Sequence, residues 1–287
     1  MILITGSTGH LGRAIISNLL KNGMPSRSIS GFARNREKAE NLKELGIVIK
    51  MGNYDDQDSL EKAFKDLEGL LFISGSEIEK RDKQHDNIIN AAVKMKVPHI
   101  LYTSFERKND KTNSQVGFIT RTHILTEKKI RETGIPYTFL RNALYAEGLP
   151  MLLGDKVLDN GIYLPAGNGR VPFASVADLA EATANIVAGT GHKNKSYHTV
   201  NIHQYSFYEI ASILSEITGK NVKYFCPSPE EFTETMKKAG VPDKVISAVL
   251  AWGEGIKQGY FESEHSDLEQ LLGHKPADLK TILSKIY

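Results

Sequence analysis

The chain has 287 residues, of which 40% are hydrophobic and 24% are charged, a composition typical of a globular protein with a sizeable core. Its formal net charge of +2 gives no electrostatic case for nucleic acid or an anionic membrane surface as a partner. The single cysteine, Cys226, excludes an intramolecular disulfide and a cysteine-based zinc site.

The chain opens with an apolar run, Ile2 to Ile4, that leads directly into the glycine-rich stretch GSTGHLG, residues 6–12. A helical pattern follows at once, with Leu11, Ile15 and Leu19 on one face. Strand, glycine-rich turn and helix in this order predict the phosphate-binding opening of a dinucleotide fold, although glycines also mark ordinary turns without a ligand.

The three glycines of this stretch have different expected structural roles. Gly6 permits the tight turn, Gly9 lets the backbone approach a pyrophosphate, and Gly12 lets the helix lie close to the strand. The N-terminal N–H groups of the helix then face the phosphates. The turn residues predicted to bind the cofactor are Gly6, Thr8, Gly9, His10, Leu11 and Gly12.

Because the first strand begins at Met1, we expect no secretory signal peptide, and no apolar run approaches the length needed to span a bilayer. The expected location is the cytoplasm.

Strands and helices then alternate with short loops up to residue 142. Apolar runs predict strands over residues 28–33, 47–51, 70–74, 100–104 and 137–141. Helices are predicted over residues 36–45, 59–65, 85–95 and 119–132. Runs such as LLFIS are apolar on both faces, as in a parallel sheet covered by helices. The predicted fold class is α/β, a doubly wound parallel-sheet Rossmann fold.

Beyond residue 142 the alternation ends. Short strands are expected around Ile162 and Val171, and helices over residues 176–187, 207–217 and 229–238 and around Trp252. We expect an NAD(P)-binding domain over residues 1–142, with returning segments at about 160–200, and a smaller, mostly helical substrate-binding lobe over residues 143–287.

The end of the second strand bears on cofactor choice. The sequence there reads GFARNREK, with Arg34 at the strand end, Lys38 shortly after it and no carboxylate at the tip. An arginine at this place accommodates the 2′-phosphate of NADPH, whereas an acidic residue holds the ribose of NAD. The alternative is a solvated basic turn at the start of a helix. Basic charge there opposes the helix dipole, so an anionic ligand explains it better.

Ligands of such sheets lie beyond the carboxyl ends of the strands. This rule predicts cofactor contacts at Asn53 and Tyr54, which should flank the adenine, and at Ser74, Gly75, Ser76 and Thr103. Phe105, Asn142 and Tyr145 should frame the nicotinamide and a flat substrate. For each residue, core packing or a turn cap is the alternative interpretation.

Several segments together resemble the NmrA-like family of atypical short-chain dehydrogenases, in particular its type-two NAD(P)H:quinone oxidoreductases and triphenylmethane reductases. They are ITGSTGHLG, ARNREKA, LLFISGSE, QHDNIINAA, HILYTSF, HILTEKKIRETGIPYTFLRNALYAE and VPFASVADLAEA, and the later YHTV and YSFYEIASILSEITGK extend the likeness through most of the chain. The resemblance implies an NADPH-dependent oxidoreductase acting on a small molecule.

One departure has chemical consequences. Ordinary short-chain dehydrogenases carry a Tyr-x-x-x-Lys pair on the helix before the sixth strand, and here Ile119 and His123 occupy those positions. Without that acid, acceptors that take a hydride before protonation are favoured, such as quinones and cationic triarylmethane dyes. His123 could still bind the nicotinamide ribose with Glu127 as its i,i+4 partner, or the two could form a surface pair of little consequence.

Two functions are therefore weighed. The first is NADPH-dependent hydride transfer, without flavin, to quinones or similar electron-poor acceptors, with Asn142, His123, Tyr145 and Phe105 as candidate catalytic residues. The alternative is a non-catalytic NADP(H)-binding redox sensor of the NmrA type that acts through a protein partner. Such a sensor needs an added interaction segment, and the only candidate, residues 106–115, is interpreted more simply as a mobile flap. We expect no metal site, since the histidines lack ligand spacing. A homodimer is compatible with the sequence.

Overall fold

The computed structural model describes residues 1–111 and 116–287. In the first half, strands and helices alternate as predicted. The elements are β1 (Ile2–Ile4), α1 (His10–Lys21), β2 (Ile29–Ala33), α2 (Arg36–Glu44), β3 (Val48–Met51), α3 (Gln57–Phe64), β4 (Gly69–Ile73), α4 (Arg81–Lys94), β5 (Ile100–Phe105), α5 (Gly117–Glu132) and β6 (Tyr137–Asn142). The largest shift is at α4, which begins at Arg81 rather than at residue 85.

The second half is more irregular. Its elements are α6 (Leu149–Leu153), α7 (Val157–Asn160), β7 (Ile162–Tyr163), β8 (Arg170–Val171), α8 (Val176–Ala188), β9 (Lys195–Thr199), β10 (Tyr205–Ser206), α9 (Phe207–Thr218), β11 (Tyr224–Phe225), α10 (Pro229–Lys238), α11 (Asp243–Lys257), α12 (Leu268–Leu272) and α13 (Leu279–Leu283). Short 3₁₀ turns cover Ser26–Ser28 and Ala146–Gly148. The predicted helices of this half are all present.

A seven-stranded sheet in the order β3-β2-β1-β4-β5-β6-β9 forms the centre of the molecule. All its neighbouring strands are parallel, which confirms the predicted Rossmann fold. The strand order reverses between β1 and β4. In doubly wound sheets this reversal opens a crevice at the carboxyl edge, and it lies directly above the glycine-rich turn.

Alternation along the strands divides the core between the two faces of the sheet. On β1, Leu3 packs with Phe64 and Phe72 under α3, α4 and α5, whereas Ile4 packs with Ile15 beside α1 and α8. Full burial of a side chain of this size contributes about 1.5–3 kcal/mol. Because both faces of the sheet are buried, the sequences of its inner strands are continuous apolar runs.

The strand β9 was not predicted, because Lys195–Thr199 forms the edge of the sheet and lacks an apolar run. It pairs with β6 and brings Thr199 beside Asn142. The second half also has an apolar cluster of its own around Phe173, Phe207 and Ile256. The division into domains at residue 142 stays a prediction. In the part of the chain that the structure describes, no helix is long and apolar enough to cross a membrane.

Candidate active site

The glycine-rich turn between β1 and α1 contains two positions, Gly6 and Gly12, at which a side chain would be strained or would clash. Gly6 lies in the left-handed region with φ +59°, and the Gly9 N–H donates to the Gly6 carbonyl at 3.0 Å. A Cβ on Gly12 would lie 2.3 Å from the Gly6 oxygen and 2.8 Å from the Ser7 Cα. The turn is therefore closed tightly under α1, and it forms a backbone cradle without side-chain cover.

The N-terminus of α1 has no side-chain cap, as in α4 and α5 but unlike α2, α3 and α8. The side chains of Asn35, Asp56 and Ser175 cap α2, α3 and α8 by accepting a backbone N–H. At α1 the cap is Gly9, no side chain accepts, and the first turn carries no acidic residue. The free N–H groups and the positive end of the helix dipole suit a phosphate.

A cleft of about 530 Å³ opens above this turn, and we refer to it as the glycine-lined cleft. Twelve of the fourteen residues predicted to bind the cofactor line it. They are Gly6, Thr8, Gly9, His10, Leu11, Gly12, Arg34, Asn53, Tyr54, Ser74, Gly75 and Ser76. The other two lie elsewhere. Thr103 lines a neighbouring cavity, and Lys38 is exposed on α2, where its N–H donates to Asn35 Oδ1.

Arg34 faces a carboxylate that the sequence analysis did not anticipate. Its guanidinium forms an ion pair with Glu77, from the loop after β4, and Lys80 lies 3.6 Å from the other oxygen of Glu77. The hydrogen bond from Arg34 lowers the pKa of the Glu77 carboxyl below its usual value. No carboxylate follows β2 directly in the sequence, but the fold brings the Glu77 carboxylate to Arg34 at the end of this strand.

Asn53 and Tyr54 already have partners in the structure. The Asn53 side chain accepts the Asp55 N–H, which shapes the loop after β3. The Tyr54 ring stacks on Phe32 at 5.7 Å between centroids, and its hydroxyl accepts the Gly6 N–H at 3.1 Å. Tyr54 therefore closes one wall of the glycine-lined cleft and supports the turn.

A buried histidine, His85 of α4, holds the loop after β4. The Gly75 N–H donates to His85 Nε2 at 3.2 Å, so Nδ1 carries the proton and donates to Thr126 Oγ1 at 2.8 Å. Burial and the nearby Arg81 lower the pKa of His85 to about 3. Thr103 assists from β5, where its hydroxyl accepts the Ser74 N–H at 3.0 Å.

A second space adjoins the glycine-lined cleft, and we refer to it as the apolar cavity. It measures about 810 Å³, and all four candidate catalytic residues, Phe105, His123, Asn142 and Tyr145, line it. The two spaces share the residues Ile73, Ser74, Gly75, Ser76, Tyr145 and Gly148. Leu149, Leu152 and Phe173 add apolar surface, and Trp252 packs on Phe261 at 5.1 Å between ring centroids. Trp252 thus serves both packing and pocket lining.

His123 makes a different contact from either one considered in the sequence analysis. Its Nδ1 lies 2.8 Å from the Tyr102 hydroxyl, and both residues are buried. Burial lowers the pKa of His123 well below its ordinary value, and Arg81 and His85 lower it further. The imidazole is therefore neutral. The expected pairing with Glu127 is wrong, and so is the alternative of a surface pair.

Glu127 instead forms the centre of a buried ionic network. It accepts hydrogen bonds from Ser104 at 2.6 Å, from Arg107 at 3.0 Å and from Arg141 at 2.8 Å. Burial alone would raise the pKa of Glu127, but the bonds from Arg141 and Arg107 outweigh it and lower the pKa to about 2. The network fixes β5 to α5 and β6 behind the apolar cavity.

The same network affects the segment expected to be a mobile flap. Glu106 and Arg107 are buried, and the Lys108 N–H donates to the Tyr260 carbonyl at 3.0 Å. The segment is therefore anchored at its start, contrary to that expectation. Residues 112–115 of the segment lie outside the described residues.

Asn142 and Tyr145 are held together at the end of β6. The Asn142 amide donates to the Tyr145 hydroxyl at 3.4 Å and accepts from Thr199 Oγ1 at 2.7 Å. A backbone bridge between Tyr145 and Ala174 fixes the loop. Tyr145 lines both spaces and stands between them.

Three side chains of α4 were not predicted from the sequence. Gln84 lines the glycine-lined cleft, Arg81 lines the apolar cavity, and His85 supports the loop between them. Their spacing of i, i+3 and i+4 puts them on one helical face. The helix α4 comes directly after the buried strand β4. This position next to the carboxyl edge of the sheet was the signal from which these residues could have been predicted. Among residues 1–111 and 116–287, no group of His, Cys, Asp and Glu could hold a metal ion.

Comparison with known proteins places this geometry in context. A model of the NmrA-like family matches residues 1–283. The chain is 33% identical to quinone oxidoreductase 2 of Escherichia coli over 288 residues, covering 100% of this chain and 99% of that protein. It is 28% identical to an NmrA-like family domain-containing oxidoreductase of Aspergillus flavus, covering 96% of this chain and 91% of that protein.

Two solved structures are similar to this chain over its whole length. The NADPH-dependent quinone oxidoreductase of Escherichia coli, in complex with NADPH, superposes with a TM-score of 0.90 at 33% identity, covering 100% of this chain and 99% of that one. The triphenylmethane reductase of Citrobacter sp., in complex with NADP(H), superposes with a TM-score of 0.88 at 35% identity and the same coverage.

Proposed function

The chain belongs to the NmrA-like family, and on that premise we propose that this NADPH-dependent oxidoreductase reduces quinones and similar electron-poor conjugated acceptors. The observation that carries the proposal is the direct junction of the glycine-lined cleft with the apolar cavity, which share six residues. A cleft lined by glycine backbone, which suits a dinucleotide, and an apolar space for a flat ring meet at Tyr145. This junction suits direct transfer without flavin.

The residues present fit NADPH. The uncapped N-terminus of α1 and the bare backbone of residues 6–12 would receive the pyrophosphate, and Arg34 would receive the 2′-phosphate. Ser74 and Gly75, fixed by Thr103 and His85, would approach the ribose. When bound, NADPH supplies the hydride that the reaction requires.

The protein contributes mainly position and exclusion of water. Phe105 and Tyr145 are proposed to frame the two flat rings, and Asn142 holds the Tyr145 hydroxyl in place. His123 is neutral and hydrogen-bonded to Tyr102, so it does not act as an imidazolium acid near pH 7. The final proton comes from water, which fits acceptors that take a hydride first.

The test is NADPH oxidation by the purified protein with a panel of small quinones and a triphenylmethane dye, with NADH in parallel. Turnover with NADPH and a quinone would support the enzyme. Tyr145→Phe should keep most of kcat, because the ring is retained, whereas Tyr145→Ala should lower it by about tenfold or more. Tight binding of NADPH without turnover on any acceptor would contradict the proposal and favour a redox sensor. The expected homodimer, the cytoplasmic location and the absence of a nucleic-acid partner stay predictions.

A further inference from the structure

One charged side chain in the apolar cavity has no assigned role. Arg81, the first residue of α4, lines the cavity, and it is partly buried. Its Nε atom is buried and has no hydrogen-bond partner among the described residues. An arginine nitrogen without a partner in a buried position is costly, so the placement of this guanidinium in the lining of an apolar cavity calls for an explanation.

The carboxylates near Arg81 have other partners. Asp82, its neighbour in sequence, forms an ion pair with Arg121 and accepts a hydrogen bond from Thr122. Glu127, the buried acid of the region, is held by Arg107 and Arg141. No Asp or Glu of residues 1–111 and 116–287 lines the apolar cavity, and the other charged residue of its lining, Lys244, forms an exposed ion pair with Glu79.

An apolar cavity whose lining contains the Arg81 guanidinium and no carboxylate favours a particular kind of ligand. Neutral rings fit its walls, and negative charge that is present or that develops on a ring oxygen is stabilised in this low-dielectric space. A cationic ring system gains the apolar contacts but is repelled by the guanidinium. The cavity therefore distinguishes acceptors both by the charge that they carry before reduction and by the charge that develops on them during it.

Building on the proposed function, we propose that Arg81 is a catalytic residue that binds the oxygen anion formed when a quinone is reduced. Hydride addition to a neutral quinone forms one bond to hydrogen and leaves the electron pair as negative charge on an oxygen. One proton from water then completes the hydroquinone. The guanidinium stabilises the anion without giving up a proton, in keeping with an arginine, which stays charged.

The proposal also narrows the substrate class. Quinones whose reduced form is an oxyanion, and hydroxyquinones that already carry a negative charge, are favoured over cationic triarylmethane dyes. For the dyes, hydride addition neutralises a positive charge and gives Arg81 nothing to stabilise.

The first experiment measures binding without NADPH, so that no turnover takes place. Trp252 is the only tryptophan of the chain and lines the cavity, so its fluorescence reports occupancy directly. The ligands are 2-hydroxy-1,4-naphthoquinone, an anion at pH 7.5, and neutral 1,4-naphthoquinone. Arg81→Met should weaken binding of the anion about tenfold and of the neutral quinone less than twofold. Lys83→Met removes an exposed charge from the same helix and should change neither.

The second experiment measures turnover. Arg81→Met should lower kcat for 1,4-naphthoquinone by about 100-fold, at the lower end of the range for a lost oxyanion donor, with the NADPH affinity unchanged. Arg81→Lys should recover part of it, and the rate with a cationic dye should stay constant or rise. Equal weakening of both naphthoquinones, or no weakening, would overturn the role of Arg81. A wild-type protein that reduces no quinone would refute the proposed function alone, since the binding pair still decides whether Arg81 recognises an anion.

Discussion

The carboxylate of Glu77 and the guanidinium of Arg34 form an exposed ion pair at the edge of the glycine-lined cleft, although the two residues come from loops after different strands. A 2′-phosphate must share Arg34 with this carboxylate or displace it. We expect Glu77→Gln to strengthen NADPH binding severalfold, because it removes the repulsion between Glu77 and the phosphate. NADH binding should stay constant or weaken slightly. Nicotinamide fluorescence titrations measure both affinities.

The control for this prediction is Glu79→Gln. Glu79 lies two residues away and pairs with Lys244 rather than with Arg34. The substitution removes the same charge from the same loop, so it should leave the ratio of the two affinities unchanged. If both variants altered the ratio equally, net charge rather than the Arg34 contact would be responsible.

The complementary substitution, Arg34→Glu, should weaken NADPH binding far more than NADH binding, by about a hundredfold against a few-fold, since it removes a cation and adds an anion facing the phosphate. Arg36→Glu makes the same charge change on the exposed surface of α2 and serves as the matched control. Equal losses for both dinucleotides in Arg34→Glu would contradict its assignment to the 2′-phosphate.

His85 is expected to act through the loop it supports. His85→Ala leaves the Gly75 N–H without its acceptor and should weaken NADPH binding by about tenfold, in line with an orphaned donor. His85→Gln, which offers an amide oxygen, should lose less. Because the pKa of His85 is about 3, its ring should show no titration by NMR between pH 5 and 8. A titration within this window would refute the neutral, Nδ1-protonated ring.

Glu127→Gln should be strongly destabilising. It removes the buried anion that Arg107 and Arg141 share, although Arg107 keeps Asp110, and breaking such a buried pair costs about 3–5 kcal/mol. Urea unfolding followed by circular dichroism measures the change. Glu132→Gln, on the same helix but in an exposed ion pair with Lys128, should change the free energy of unfolding by no more than about 0.5 kcal/mol. Similar values for both would show that the network contributes no more than a surface pair.

A pH-dependent contribution to stability comes from His198 on β9. Its Nδ1 lies 2.8 Å from the buried Glu106 carboxylate, and this hydrogen bond raises the pKa of His198 above its ordinary value, with Arg141 opposing and Asp267 assisting. A raised pKa stabilises the fold fully below the unfolded pKa of about 6.5 and loses this effect as pH rises through the folded value.

The stability difference between wild type and His198→Gln should therefore be larger at pH 6 than at pH 9, by about 1 kcal/mol. Thermal or urea unfolding at the two pH values measures it. A difference that is independent of pH, or that grows with pH, would show that the imidazolium form contributes nothing.

The parts of the fold that were predictable are those with a strong apolar signal. The inner strands carry runs such as Leu70 to Phe72, which only a sheet buried on both faces accommodates. The sequence of β9 contains polar residues and no apolar run. The strand forms because it pairs with the free edge of β6, and this contact depends on tertiary structure. The start of α4 escaped prediction because its first turn, RDKQ, is polar.

The candidate site also contains some parts that the sequence predicts and others that it does not. The glycines and the strand ends follow from local geometry, so they could be located from sequence order alone. The meeting of Glu77 with Arg34, and of Glu127 with Arg107 and Arg141, joins residues 14 to 43 positions apart. No periodicity encodes such pairs, since they depend on how loops from different strands fold over the sheet edge. Lys38 shows the reverse case, in which proximity in sequence to Arg34 did not bring its side chain to the cleft.

The apolar cavity takes much of its lining from α6 and α11, through Leu149, Met151 and Leu152 and through Val245, Ala248 and Trp252. None of these residues lines the glycine-lined cleft, which is built from the sheet edge and the loops above it. The two spaces share residues at the sheet edge, but the part of the cavity lining that comes from α6 and α11 is separate from the cleft. Substitutions on these two helices can therefore reshape the apolar cavity while the lining of the glycine-lined cleft stays intact.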